Sequence, residues 1–284
     1  VWETLRLLRY NRLAFMGAVI ILLLILLALV GPTLSPHDPI DIDMEARLEP
    51  PSLEHPFGTD DFGRDVLSRV LSGAWVSLQV GIIAVSISMV VGVLLGAISG
   101  YYGGWLDEVT MRLMDVLFAF PAILLAIAIL AALGPGIRNA MIAIGIVYTP
   151  IFARITRGSV LTVREQVYVK AARAIGCRDR RILFLHILPN VMAPIIVETT
   201  LSLAFAILAE AALSFLGLGT QPPDPSWGRM LSESRGFIQD APWLGFFPGL
   251  AIMFTVMGFN FLGDGLRDAL DPRMKQVLQP GGRE

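Results

Sequence analysis

Charge is scarce in this chain. Only 16% of its 284 residues are Asp, Glu, Lys or Arg, against about 25% in ordinary soluble domains. With 55% hydrophobic residues and a mean hydropathy of +0.67, that deficit implies a surface facing lipid over much of its area. Cysteine is scarcer still. Cys177 stands alone, which excludes an internal disulfide framework, and one cysteine with three histidines argues against an intrinsic metal cluster. No G-x-x-x-x-G-K-[ST] phosphate loop occurs, so ATP hydrolysis is not expected of this chain. No nucleophile and base stand at a catalytic spacing, and no bound cofactor is expected. A net charge of -2 gives no nucleic-acid signature. Internal repeats and low-complexity tracts are absent too. The chain begins at Val1 rather than Met, which leads us to expect a few further residues ahead of it.

What is present is a series of long apolar runs. A helix crossing the hydrocarbon core needs about 20 such residues. Leu13–Val30, Leu71–Leu106, Val116–Ile137, Asn139–Ala153, Val191–Leu216 and Ala241–Gly263 qualify or nearly do. Within the second run the span is placed near Val76–Ser99, and the fourth runs on past Arg154. Arg6, Arg9 and Arg12 precede the first run as in a signal peptide, but the run is too long and no A-x-A-like cleavage site follows. It reads as an uncleaved anchor. The expected fold class is therefore an all-α integral membrane protein of six transmembrane helices.

Sidedness follows from the basic residues. With the N-terminus inside, the cytoplasmic pieces 1–12, 99–112, 154–190 and 265–284 hold 3, 1, 8 and 4 Lys/Arg, or 16 of the 22. The external pieces keep six: Arg47, Arg64, Arg69, Arg138, Arg229 and Arg235. Both termini are expected in the cytoplasm. External segment 32–75 has nine acidic residues against three arginines. Its proline-rich first half reads as an ordered-coil tether, and Asp65–Trp75 as an interfacial helix. Residues 1–75 then form an arm, anchor and external segment, 76–268 a five-span core containing a loop at 159–190, and 269–284 a cytoplasmic tail.

Gly92, Gly96 and Gly100 repeat every fourth residue on one face of the second span, where small residues let another backbone approach closely. An intrachain helix contact and a partner-subunit contact both fit. Pro121, Pro150, Pro194 and Pro248 lie in or near four spans, as static kinks or as joints of a moving bundle.

The most telling stretch is the basic island Arg154–Asn190, with eight basic residues and two acidic ones, Glu165 and Asp179. Arg164–Ile175 is rich in strong helix formers. Gly176 stops that helix, and Asp179 can cap a second, Arg180–Ile187, ending near Pro189. Ala171, Ala172 and Ala174 leave little bulk, so a groove on another protein could close around the first helix. An amphipathic helix held to anionic lipid fits the same residues.

Lys170-Ala171-Ala172-x3-Gly176, followed by Leu188-Pro189, resembles the EAA loop of ABC-importer permeases. Lys170 stands where the family usually has Glu, and His186 replaces the usual Ile. Gly58–Arg69, Gly100–Asp107, Glu210–Gly219, Pro222–Gly228 and Leu262–Asp268 resemble, in order, the second permease subunit of dipeptide, oligopeptide and nickel importers. The resemblance runs from Leu13 to Arg273. It implies a type I ABC-importer permease fold with a cytoplasmic coupling helix, in the inner or plasma membrane of a prokaryote. Lys170, Ala171, Ala172, Arg173, Gly176, Cys177, Arg178, Asp179, His186 and Pro189 would then form the ATPase-coupling loop. It further implies a second homologous permease, two ATP-binding subunits that hold ATP and Mg, a soluble extracytoplasmic binding protein, and a short peptide as cargo, with nickel or glutathione open.

Two carboxylates fall within the fifth span. At 1.5 Å per residue from Asn190, Glu198 lies about 12 Å in and Glu210 about 30 Å along. Both are translocation-path candidates. Glu198 could instead make a buried structural hydrogen bond, and Glu210 could fix the outer end of the helix ahead of Gly217–Gly219. Arg112 and Asp115 could pair at i, i+3. Pro222, Pro223 and an exposed Trp227 in the last external loop are candidate contacts for the binding protein, or parts of a plain connector. An ion-coupled transporter using Glu198 is the other class of function open at this point. An intramembrane enzyme built on His186 and Glu198 is disfavoured by their spacing.

Overall fold

The computed structural model describes residues 12–270. Arg6 and Arg9 of the N-terminal arm, and the tail from 271 onward, lie outside the described residues. The helices are α1 (Arg12–Leu34), α2 (Val66–Tyr102), α3 (Gly104–Phe118), α4 (Ala122–Leu133), α5 (Ile137–Val163), α6 (Val167–Ala174), α7 (Met192–Phe215), α8 (Trp227–Glu233) and α9 (Trp243–Leu270). No strand is formed among the described residues beyond an isolated bridge between Thr59 and Asp65.

Four of these helices, and α7 with the residues leading into it, are long and apolar enough to cross a membrane. The pair α3–α4 makes a sixth crossing, bent by 94°. Connectivity requires that crossing. Arg164, at the end of α5, donates from Nη1 to Gly100 O at 2.7 Å, so the C-termini of α2 and α5 share one end of the bundle. Gly136 N, at the start of α5, donates to Leu218 O at the opposite end. Only α3 and α4 connect the two. The break falls at Pro121, which has no N–H to continue the ladder and forces its predecessor out of helix. A straight third span over Val116–Ile137 is thus corrected to two short helices. The start of α1 and the end of α9 lie side by side, with Gly265 against Ala14 and Gly258 against Ile20 and Ile21. Both ends of the described chain therefore stand at the end carrying the basic loop, called here the basic end; the opposite end carries the acidic segment 35–65.

At 37 residues, α2 is about 55 Å long, far more than the roughly 30 Å hydrocarbon core. The expected interfacial helix Asp65–Trp75 is in fact its first turns. Asp65 caps them, accepting from Ser68 N at 2.7 Å. No glycine or proline interrupts the run to Trp75 apart from Gly73, so nothing stops the helix where the lipid begins. Gly103, at φ 68, ends it.

The Gly92, Gly96 and Gly100 stripe faces α5. A Cβ on Gly92 would stand 2.6 Å from Thr149 O, and one on Gly100 3.0 Å from Arg157 O. On Gly96 it would collide with Ala153 O. Lipid tails are as apolar as leucine, so spans associate through such close packing rather than by burying apolar area. Apolar side chains fill the space beside the stripe, with Phe152, Ile144 and Val160 fully buried.

Gly96→Leu should therefore lower stability by about 1–3 kcal/mol, the usual cost of overpacking, seen as a lower melting temperature of detergent-purified protein. Gly158→Ala, on the same helix pair but with nothing within 4 Å of the new Cβ, should leave it unchanged or higher.

Candidate functional site

The basic end is built around α6. Val169 and Ala172 are its buried residues, seated on the core that holds Ile182, Leu183 and Ile187. The opposite face carries Val167 and Ile175, each 81% exposed, with Ala171 and Ala174 between them. An apolar stripe that open on a helix of two turns is an unpartnered surface.

The helix ends in a Schellman arrangement. Cys177 N donates to Ala172 O at 3.1 Å and Gly176 N to Arg173 O at 3.0 Å. Gly176 has φ +82 with open space around it, so a side chain there is disfavoured by backbone strain rather than by a clash. Beyond the corner the chain does not form a separate short helix. Asp179–Arg181, a π segment Ile182–Ile187 and a 3-10 turn Leu188–Val191 lead directly into α7. Pro189 sits within that 3-10 turn, at its first positions, where its missing N–H costs nothing. The expected stop at Pro189 is corrected accordingly.

Asp179 does not cap either. Arg178 occupies the cap position without a side-chain bond. Asp179 Oδ1 instead accepts from Tyr101 Oη at 2.6 Å, and Arg173 Nη2 donates to the same phenol oxygen at 3.5 Å. Tyr101 is nearly buried at the foot of α2, so this clasp ties both sides of the glycine corner to the longest helix. The sequence reading missed Tyr101, and only its position two residues before Gly103 could have suggested it. Lys170 pairs with Glu165 at 3.2 Å on the exposed rim, and that ammonium holds the Glu165 carboxyl below its ordinary range. Cys177 is a half-buried free thiol packed against the core. His186 is half-buried, its carbonyl accepting from Asn190 Nδ2 at 2.7 Å, while Arg178 is exposed.

Two further ion pairs brace this end. Arg157 binds both oxygens of Asp107 at 2.6 Å. Asp115 pairs with Arg154 of α5, not with Arg112 as expected; a contact across the helix pair takes the carboxylate.

The carboxylates of α7 are not together. Glu198 is half-buried and accepts from Ser202 Oγ at 3.0 Å. Glu210 is fully buried at the acidic end, accepting from Ser214 Oγ at 2.7 Å and Thr220 Oγ1 at 3.5 Å. Ser214 Oγ in turn accepts from Thr220 N at 3.0 Å, which folds the turn back on the helix. Trp227 corrects another expectation. It is 2% exposed, with Nε1 donating to Val70 O at 2.9 Å, so it anchors α8 to α2 and offers no outer surface. Pro222 and Pro223 are exposed. Pro222 lines a cleft of about 410 Å³ with Val76, Pro135, Asn139, Thr220 and Gln221.

The Gly58–Arg69 block is a knot of buried charge. Arg69, 1% exposed, reaches Glu233 at 3.0 Å and Asp60 at 3.5 Å. Arg64 binds Asp60 at 2.7 Å, and Arg229 binds Glu233 at 2.9 Å. Thr59 O accepts from Trp243 Nε1 at 3.1 Å, and Phe57 stacks on Phe247 at 3.8 Å.

A six-crossing helical bundle with a basic elbow at one end and a charged lobe at the other is the architecture of a membrane permease subunit. The chain belongs to the family of binding-protein-dependent transport system inner membrane components, whose model matches residues 92–276, and the model of the N-terminal transmembrane domain of oligopeptide transport permease C matches residues 1–51. It is 54% identical over 273 residues to the dipeptide transport system permease protein DppC of Alkalihalophilus pseudofirmus, covering 96% of this chain and 90% of that one. It is 48% identical over 268 residues to the glutathione transport system permease protein GsiD of Escherichia coli O157:H7, covering 94% and 88%. Its fold is similar to a chain of the MetNI methionine ABC transporter in an inward-facing conformation, with a TM-score of 0.58 at 17% identity over 72% of this chain and 97% of that one. This is a multi-pass inner-membrane permease of a binding-protein-dependent ABC importer.

Tyr101→Phe removes the phenol oxygen that donates to Asp179 and accepts from Arg173. We expect tryptic cleavage between Arg173 and Arg181 to rise about fivefold, the population change of a loss near 1 kcal/mol, with the global melting temperature unchanged.

Proposed function

We propose that this chain forms half of the translocation path of an importer for short peptides, and that α6 is the part an ATP-binding subunit grips. The second half comes from a homologous permease, and two ATP-binding subunits hold ATP and Mg and do the hydrolysis. A soluble extracytoplasmic binding protein delivers cargo at the acidic end. The basic end, with both termini, faces the cytoplasm, in keeping with the excess of basic residues there.

The observation that carries this reading is the exposed stripe Val167, Ala171, Ala174 and Ile175 on a helix clasped to α2 by Tyr101 and Asp179. A lipid-seated helix would need its basic side chains splayed around an apolar face sunk in the interface. Here Lys170 is committed to Glu165 and Arg173 to Tyr101. Closure of the nucleotide subunits would push α6, and the clasp would pass the push to α2. Glu198, half-buried on α7, is the carboxylate we place beside the path. Pro222 and Pro223, at the cleft rim, are where we place the binding protein.

Short peptides are the cargo that both relatives' names suggest, since glutathione is itself a small peptide. Specificity would rest chiefly with the binding protein.

The test uses Ile175→Cys with Cys177→Ser. A membrane-impermeant maleimide should label it in inverted vesicles and not in intact cells, and a short bifunctional crosslinker should join it to an ATP-binding subunit. Labelling from outside, or no such crosslink in native vesicles, would overturn the reading. Gly176→Pro should abolish ATP-dependent uptake of a labelled dipeptide while leaving membrane insertion intact.

A further inference from the structure

The acidic lobe gathers two of the chain's three histidines. One donor atom each from His37, His55 and Asp65 lies within 4.8 Å of the other two. His55 Nδ1 is 3.0 Å from Asp65 Oδ1, and the two imidazole rings lie 4.7 Å apart at a tilt of 34°. Each donor is held from behind. His37 Nε2 meets Glu54 O at 3.2 Å, so a proton given to that carbonyl leaves the lone pair on Nδ1. Asp65 Oδ2 is taken by Ser68 N at 2.7 Å and Ser68 Oγ at 2.6 Å, which leaves Oδ1 for His55. Ser68 Oγ also accepts from His37 N at 3.3 Å, closing the frame. Asp65 and His55 are buried, while half-buried His37 provides the way in.

We propose that His37, His55 and Asp65 form a binding site for a first-row divalent transition cation of the zinc class. Two imidazole nitrogens and a carboxylate oxygen suit such cations and not Mg²⁺ or Ca²⁺, which take oxygen donors. Bonds of about 2.0–2.1 Å in a tetrahedral site set donors about 3.3 Å apart. The His55–Asp65 pair is already near that spacing, and a modest swing of His37 closes the rest. On binding, His55 gives up its Nδ1 proton while Nε2 takes one from solvent, a tautomer change with no net proton released, so that the Nδ1 lone pair reaches the metal, with one position left to water. A plain hydrogen bond accounts for His55 and Asp65. It does not account for a second imidazole brought beside them from a separate stretch of chain and oriented by a backbone carbonyl, as metal-binding histidines are. The surrounding acidic segment raises the local cation concentration. An occupied site would staple the stretch around His37 to the cap of α2.

The experiment uses the full chain with its partner subunits in lipid nanodiscs and Zn²⁺ alone as probe, in competition with a chromogenic chelator. The wild-type complex should bind one equivalent more tightly than His37→Gln by at least about tenfold, or about 1.4 kcal/mol. His186→Gln, at the basic end, should bind like wild type, and Mg²⁺ should not compete. Zn²⁺ should raise the melting temperature of wild type and of His186→Gln but not of His37→Gln. His37→Gln leaves the His55–Asp65 hydrogen bond in place, so folding is kept out of the comparison. Equal Zn²⁺ binding and equal thermal protection in wild type and His37→Gln would overturn the site, as would loss of that equivalent in His186→Gln alone.

Discussion

Backbone contact between α2 and α5 is the constraint on which the rest of the bundle depends. In lipid no hydrophobic driving force pulls two apolar helices together, so their association rests on how closely they can approach. Gly92, Gly96 and Gly100 bring no side chain of their own to that seam, and Thr149, Ala153 and Arg157 present backbone carbonyls to it. The seam fixes the inclination of α5 against α2. From that inclination follow the positions of Arg157 over Asp107, Arg154 over Asp115 and Arg164 over the last carbonyls of α2. The basic end is therefore organised by the seam, and α6 hangs from a frame already set.

The acidic lobe is held by the opposite device. Arg69, Arg64 and Asp60 are buried against half-buried Glu233, and buried ions are costly unless each is paired and hydrogen-bonded. Here each is. Asp60 accepts from Phe62 N and Arg64 N as well as from the Arg64 side chain, and Glu233 takes Arg64, Arg69 and Arg229. Removing one partner would strand the others. Such a network specifies one arrangement of the 57–69 loop against α8, and Arg69 belongs to α2 itself. One helix is thus clamped by charge at one end and by glycine packing toward the other.

What the sequence made legible follows from this division. Six crossings, the basic loop and the glycine stripe are local patterns, since composition and periodicity carry them. The family blocks were legible as blocks, but their internal logic was not. Trp227 looked like an outer contact because its neighbours Pro222 and Pro223 are loop residues, yet its indole is spent on Val70 O. Asp179 looked like a cap because it opens a helix, but a tyrosine 78 residues away claims it. Arg112 and Asp115 had the right spacing, and a facing helix offered Asp115 a better cation in Arg154. Each miss is a polar side chain whose partner lies on another helix, and no local rule can rank that partner. The bend at Pro121 is different, because the proline was noted and its consequence was underestimated: α4, with 12 residues, gives only about 18 Å of rise.

The two clamps on α2 bear on how a push at α6 could travel. A helix anchored at both ends can shift or tilt as a body, but it cannot absorb displacement by local unfolding without breaking either the seam or the charge knot. Compliance must then sit elsewhere. The α3–α4 pair offers it: the helices meet at 94° with Pro121 between them, and α4 touches the bundle through few fully buried residues, Ala126 and Leu130. The π segment Ile182–Ile187 offers it a second time, since π turns are rare interruptions of the α-helical ladder, frequent at functional sites. Both flank the elbow, one before α5 and one before α7. On the proposed reading α2 and α5 would move together as a stiff unit, and the bundle would change shape where α4 and the base of α7 bend.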